Sequence, residues 1–378
     1  MKDKLWTKKY LFSLLLVFSI NMGYALLNSV MAIYGTVLAS SSVIGGYMIT
    51  VFTLAALFVR LFIKKLNEKY SNKTLLLIGV LLTMIASLGY CLTKNLFIFL
   101  IFRAIHGFGF GFSLTCAVAI SNEYAPASRL SESVGFTSSA NTLANAIGPS
   151  LALEILGKDY SNFISLFIFM FVISILAVIF SSFVKSNTKT KFNNSKSNYS
   201  GAFIITFVFF IATFSQGAIN SFLTSYAKEL GLGNIGLFFT LSAIVTFLSR
   251  FFSKKIQDFV GLKKLSFILS LIMALATLAI SLVQTKIQLL VLAIPCGLAS
   301  GLLFPIFNYR IIKAVGTDQI AFGTSLYYCG VDIGYGIGAM AWGTLAQFTN
   351  YYLVYIFAGG LIAIMAILDQ FIYHRIHI

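Results

Sequence analysis

The chain has 378 residues, of which 58% are hydrophobic, 15% aromatic and only 10% charged. A soluble fold of this length has no interior large enough for so much apolar surface, which excludes an ordinary globular domain and makes a lipid bilayer the expected solvent. The formal net charge of +16 would suggest nucleic acid in a soluble protein, but here the basic residues sit in alternate connections between apolar stretches. The charge therefore reports topology and contact with anionic lipid, and no nucleic-acid partner is expected.

A helix needs about 20 apolar residues to cross the hydrocarbon. Such stretches predict spans over 11–34, 44–63, 75–92, 96–118, 132–155, 162–184, 202–227, 234–252, 265–283, 287–311, 321–346 and 351–373. The first follows Lys2, Lys4, Lys8 and Lys9. Its apolar stretch is longer than the core of a secretory signal, so it is expected to be a retained span. With the N-terminus in the cytoplasm, cytoplasmic segments hold 22 of the 27 Lys and Arg: the first four, Arg60 to Lys73, Arg129, Lys185 to Lys196, Arg250 to Lys264, Arg310, Lys313 and Arg375. The other side holds Lys94, Lys158, Lys228 and Lys286. This bias predicts a multi-pass protein of the cytoplasmic membrane with both termini inside. Cys91, Cys116, Cys296 and Cys329 fall within or at the ends of spans, with neither a disulfide framework nor a metal spacing. No metal or cofactor is expected.

The sequence repeats itself. Asn28, Ser29, Tyr34 and Leu38 recur as Asn220, Ser221, Tyr226 and Leu230, 192 residues on. Arg60, Phe62, Lys64, Lys65, Glu68 and Lys73 recur as Arg250, Phe252, Lys254, Lys255, Asp258 and Lys263 at 190; Gly107 and Gly111 recur as Gly297 and Gly301 at 190; Gly135 and Gly148 recur as Gly323 and Gly336 at 188. Matched polar residues distinguish duplication from shared hydrophobicity. The expected fold is an all-α membrane protein of twelve transmembrane helices in two parallel six-helix repeats: residues 1–184, a Ser-, Asn- and Lys-rich cytoplasmic linker over 185–200, and residues 201–378. Parallel repeats predict a secondary transporter that binds a small molecule between its halves and alternates access by rocking them.

Polar residues fall on the spans by threes. Spans 3, 6 and 9 carry no charge and span 12 only Asp369, while spans 1, 4, 7 and 10 carry Asn21 and Asn28, Arg103 and His106, Gln216 and Asn220, and Asn308. Helices facing lipid tolerate a bland sequence, whereas those lining a wet cavity do not; the alternative is that the amides join helices to each other. Arg103 is the strongest signal, because a cation inside a span costs ~2.5–3.5 kcal/mol and must face protein or water. His106, Phe110 and Ser113 continue its helical face, pairing a fixed cation with a titratable imidazole; the alternative is an Arg satisfied by helix carbonyls. Gly107, Gly109 and Gly111 lie elsewhere on that helix and suit close packing.

Asp332 is read as the one acid well inside the second half's spans. Gly330, Gly334 and Gly338 form a seam beside it, and Ser325, Tyr328, Asp332 and Tyr335 form a separate polar-aromatic face. If the seam packs on a helix, Asp332 turns toward the cavity as a candidate for proton exchange or for a cationic substrate; otherwise it pairs with Arg103 or a Tyr. Glu154, near the outer end of span 5, is a further proton candidate or simply exposed. Glu123 and Glu132 flank a loop with Arg129, where ion pairing is expected. Tyr24, between Asn21 and Asn28, is a candidate for a substrate wall with Tyr328 and Tyr335, suited to a cationic or aromatic compound.

Three motifs resemble the major facilitator superfamily over essentially the whole chain. Leu66-Asn67-Glu68-Lys69-Tyr70-Ser71-Asn72-Lys73 is similar to that family's loop between spans 2 and 3, Leu-x-Asp-Arg-x-Gly-Arg-Lys, with Glu, Ser and Asn replacing Asp, Gly and Arg. Asp258, Gly261 and Lys263 keep part of it in the second half. Arg103 with Gly107 and Gly111 resembles the Arg-x-x-x-Gly pattern of span 4. Gly148-Pro149, after Asn141 and Asn145, resembles the Gly-Pro motif of the drug:proton antiporter branch. The resemblance implies gating at Glu68 and its neighbours Arg60 and Lys73, with Arg250 and Asp258 as counterparts, proton coupling near Arg103, and a bent fifth span. Efflux relatives often carry an acid in the first span, where this chain has Asn21 and Asn28.

The resulting expectation is a transporter, not an enzyme, that exports amphipathic or cationic compounds against protons and works as a monomer among membrane lipids. Arg103, His106, Asp332 and Glu154 are the coupling candidates. Asn21, Tyr24, Asn28, Gln216, Asn220, Asn308, Tyr328 and Tyr335 are the cavity candidates. The alternatives are a proton symporter for an organic anion or nutrient, with Arg103 as its clamp, and a non-transporting sensor or assembly partner.

Overall fold

The structure, a computed structural model, describes residues 4–31, 34, 38, 42–157, 162–186, 198–233, 235–316 and 319–375. Among these the chain is helical, without strands. Hydrocarbon offers no hydrogen-bond partner, so an apolar segment satisfies its backbone by coiling on itself. The first six helices are α1 (Lys8–Asn28), α2 (Ser42–Lys69), α3 (Asn72–Leu92), α4 (Leu96–Glu123), α5 (Leu130–Leu156) and α6 (Phe163–Phe183). The next six are α7 (Tyr199–Glu229), α8 (Gly236–Val260), α9 (Leu262–Ser281), α10 (Lys286–Val315), α11 (Ile320–Phe348) and α12 (Tyr351–Arg375). Ten are long and apolar enough to cross a bilayer. The other two, α5 and α11, carry the Ser, Thr, Asn, Gly and Tyr that lower hydropathy.

Local chemistry sets several ends. Thr7, Ser71 and Asn95 accept from the backbone N–H of Tyr10, Thr74 and Ile98 at the starts of α1, α3 and α4, and Thr285 with Gln288 forms a capping box on α10. Gly261, at φ 82°, turns the chain from α8 into α9. Two spans run further than expected. With α2 extending to Lys69 and α8 to Val260, the basic stretches that follow Arg60 and Arg250 are helical too, and those two arginines, counted with the cytoplasmic segments, are buried to 2% and 8% exposure. Most of the expected linker, 187–197, lies outside the described residues, as does Lys158.

The chain divides into two compact units, 1–193 with 318–325 and 194–317 with 326–378. In the first, α4 packs on α2 and α3, α1 packs on α4, α5 and α6, and α3 packs on α6. In the second, α10 packs on α8 and α9, α7 packs on α10 and α12, and α9 packs on α12. The shared pairings follow the sequence repeat.

Glycines set these approaches. A Cβ on Gly107 would lie 2.8 Å from the Ala55 Cβ, and one on Gly111 2.8 Å from the Ala56 carbonyl oxygen, so α4 and α2 touch backbone to backbone. Their counterparts do the same in the second unit, Gly297 on Ser242 and Gly301 on Thr246. Gly109 faces Gly79 of α3 instead. The seam on α11 packs on α7: Gly334 and Gly338 meet Thr213 and Phe214, and the Thr213 hydroxyl donates to the Gly330 carbonyl at 2.9 Å.

Polar groups tie helices at a few points. Arg129 makes two hydrogen bonds to Glu132, at 2.8 and 2.6 Å. Glu123 accepts from Asn72 Nδ2 at 2.6 Å and from the Ser186 hydroxyl at 2.8 Å. Inside the second unit, Arg310 Nη1 donates to both oxygens of Asp369, at 2.7 and 3.0 Å, and the Ser266 hydroxyl adds a bond of 2.7 Å. Arg310 and Asp369 are 1% and 0% exposed. Asp369 keeps its expected place near the end of the last span, but it and Arg310, counted with the cytoplasmic segments, are buried against each other. Burying both charges removes the water that would otherwise solvate each, so each ion requires the other.

Gly334→Leu is expected to abolish the folded species on fluorescence-detected size exclusion, while Gly336→Ala, where an added Cβ meets nothing within 4 Å, is expected to be neutral or stabilising by about 0.5–1 kcal/mol. Asp369→Asn should destabilise by roughly 3–5 kcal/mol in thermal unfolding, and the double change Arg310→Met with Asp369→Leu should recover most of the loss.

Candidate functional site

In the first unit, α4 presents Arg103, His106, Phe110 and Ser113 along one face, all buried. The close approach enabled by Gly107 and Gly111 brings α2 against this face. Arg103 Nε donates to the Met48 carbonyl of α2 at 2.9 Å, and its guanidinium carbon lies 4.7 Å from the centroid of Phe52. Its Nη2 is buried without a hydrogen-bond partner, and among the described residues no carboxylate pairs with it.

Tyr24 of α1 stacks on Phe52 at 5.4 Å and on Phe110 at 4.8 Å. Arg60 closes the far side of this trio, its guanidinium carbon 5.8 Å from the Phe110 centroid. Two buried cations thus bracket three aromatic rings, whose negative faces partly replace the solvation that each guanidinium has lost.

His106 packs edge-on against Phe52, centroids 4.9 Å apart, and its Nδ1 lies 3.3 Å from the hydroxyl of Tyr90. That hydroxyl also donates to the Phe102 carbonyl at 3.3 Å. Tyr90 belongs to α3, a span expected to face lipid with no polar role, yet it is 1% exposed. The available signal was a phenol in an otherwise aliphatic span, since a buried hydroxyl needs a partner.

The remaining candidates are dispersed. Asn21 Nδ2 donates within its own helix to the Val17 carbonyl at 2.8 Å. The side-chain oxygens of Asn28 and Asn308 are buried without a partner. Gln216 is half-buried and Asn220 exposed. Glu154, Glu68 and Asp258 are exposed. Lys73 donates to the Ser181 carbonyl, joining α3 to α6. Gly148 is buried against Ala25 of α1, and Pro149 sits within α5. On α11, Asp332 and Tyr335 are half-buried off the glycine seam, and Tyr328 is buried with its ring 5.1 Å from Tyr327. Arg250 of α8 donates through Nε to the Gly301 carbonyl at 3.2 Å.

Twelve helices in two repeated sixes, with cations held inside, define a polytopic membrane protein of the transporter type. The Major Facilitator Superfamily profile matches residues 13–204 and again 205–376, and the chain belongs to that superfamily. It is 22% identical to the staphylopine export protein of Staphylococcus aureus over 94% of this chain and 93% of that one. It is 26% identical to the multidrug resistance protein MdtG of Salmonella choleraesuis over 68% and 67%. Among solved structures, the fold superposes on the major facilitator transporter FucP in its outward conformation with a TM-score of 0.80, 17% identity and coverage of 98% and 99%. For the human organic anion transporter MFSD10 the score is 0.77, with 13% identity and coverage of 96% and 99%.

Tyr90→Phe should lower stability by about 0.5–1.5 kcal/mol. A lower thermal midpoint in detergent, with unchanged elution on size exclusion, is the expected result; an unchanged midpoint would mean that the hydroxyl carries no net bond.

Proposed function

We propose that this chain is a proton-coupled exporter of small amphipathic compounds, working as a monomer by alternating access, with both termini cytoplasmic. The organisation proposed with it is a six-helix half over 1–184, a linker over 185–200 and a second half over 201–378. One observation carries the coupling: a fully buried arginine without a carboxylate stands beside a buried imidazole that is hydrogen-bonded to a tyrosine. Arg103 is the fixed charge and His106 the proton acceptor of the first half. Asp332 and Glu154 are the acids available for the rest of the relay.

The export direction is supported by the full-length similarity to the staphylopine export protein. Glu68, Lys73 and Asp258 act at the helix ends as gating contacts, and Gly148-Pro149 lets α5 bend against α1. A second reading, symport of an organic anion clamped by Arg103, is favoured by the unpartnered Nη2 of that residue.

Everted vesicles holding an imposed proton gradient and a pH dye test the proposal. Export substrates from a panel of amphipathic compounds are expected to dissipate the gradient only when the chain is present; if none does, antiport is wrong. Arg103→Lys should keep partial coupling if the cation acts through its field alone, and should lose substrate affinity by about tenfold or more if it grips an anion in a bidentate fork.

A further inference from the structure

The second unit holds two deeply buried arginines, and their surroundings differ in kind. Arg310 is neutralised by Asp369, supported by Ser266, and flanked by the rings of Phe307 and Tyr373 at 5.3 and 4.9 Å. Arg250 is 8% exposed and has no such acid: its Nε donates to the Gly301 carbonyl, and its Nη1 is buried without a hydrogen-bond partner. Among the described residues no carboxylate pairs with it. The same bundle shows how it neutralises an arginine that serves structure alone. Arg310 also keeps a buried Nε without a partner, but its charge is met by a carboxylate, whereas Arg250 has its Nε anchored to backbone, its Nη1 unpartnered and its charge unmatched.

The groups near Arg250 share one chemistry. Tyr327 and Tyr328 of α11 lie close enough to Arg250 to act on it electrostatically. Tyr327 stacks on Phe209 of α7, centroids 4.8 Å apart and planes within 16° of parallel, and Phe209 in turn packs on Phe304 and Phe307 of α10. A guanidinium takes an oxyanion through paired N–H donors, phenol hydroxyls donate to the same oxyanion, and stacked rings accept a flat apolar body. An unpaired cation in a low-dielectric interior carries a desolvation penalty that an incoming anion would offset.

We infer that Arg250 anchors the anionic head, a carboxylate or phosphonate, of an amphipathic aromatic ligand, with Tyr327 and Tyr328 beside it. The inference rests on the reading of the chain as a transporter and narrows its substrates to acidic compounds. Arg60, the repeat counterpart of Arg250, faces the Phe110 ring instead, so the anion site belongs to the second unit.

Binding to the purified full-length chain tests this with four probes of one shape: benzoate and phenylphosphonate as anions, benzamide as the neutral isostere and benzamidine as the cation. Calorimetry and thermal shift are expected to show binding and a raised unfolding midpoint for the two anions only. Arg250→Gln should weaken anion binding at least about tenfold, and Arg250→Lys by less, since it keeps charge without the fork. Equal binding of benzamide or benzamidine, absence of anion binding, or undiminished binding by Arg250→Gln would overturn the inference. If Arg250→Gln does not fold, the wild-type isostere series with Tyr328→Phe decides, a loss of anion affinity supporting the site and no change overturning it. The proton-flux assay is read separately. Flux with cations and no anion binding would sink this inference and leave the proton-coupled exporter, whereas anion binding without any flux would sink proton-coupled export and leave the site.

Discussion

Hydrocarbon supplies no hydrogen bonds, and this single constraint organises the molecule. Each span must satisfy its own backbone, so each is a helix, and helices immersed in lipid gain little from apolar contact with one another. What remains to hold them is proximity: dispersion and weak polar contacts that grow as backbones approach. The glycines of α4 and α10, set against α2 and α8, and the seam of α11 on α7 are therefore the framework on which the rest is mounted. Arg103 reaches the Met48 carbonyl because Gly107 lets α4 lie against α2, and Arg250 reaches the Gly301 carbonyl at the corresponding crossing of the other half.

The same medium makes charge expensive, and the protein handles its buried arginines in distinct ways. Arg310 is neutralised by a carboxylate, which converts two costly ions into one rigid tie among α9, α10 and α12. Arg103 leans on a carbonyl and a ring face. Arg250 leans on a carbonyl in a tyrosine-rich setting. Each of the three keeps one buried N–H without a partner, but only Arg310 has its charge matched by a carboxylate. Incomplete satisfaction of a buried cation is hard to explain by stability alone.

The architecture was legible in the sequence because it is written in long-period signals: apolar length, matched glycines at an offset of 190, and alternating basic connections. The α11 seam was readable for a similar reason, spacing four on a helix being a face in any setting. The polar interior was read less well. Arg310 and Asp369 looked like end-of-span residues, because a one-dimensional pattern cannot show that two helix ends meet. Tyr90 was missed because its span is otherwise aliphatic, and the partner that gives its hydroxyl a role lies sixteen residues away on another helix. The second and eighth spans were ended at 63 and 252 because charge was allowed to end the helix, whereas the helices run on to Lys69 and Val260.

The Tyr90 hydroxyl has one proton and two neighbours within 3.3 Å, the Phe102 carbonyl and the His106 imidazole. When it donates to the carbonyl its lone pairs face the ring and Nδ1 carries the N–H; when it turns to the ring, Nδ1 accepts and the imidazole proton sits on Nε2. A phenol borrowed from α3 thereby couples a backbone carbonyl of α4 to the tautomer of a histidine on the same helix. The edge of the neutral ring that carries its basic lone pair, and so the edge at which a proton can arrive, changes with the turn of that one hydroxyl.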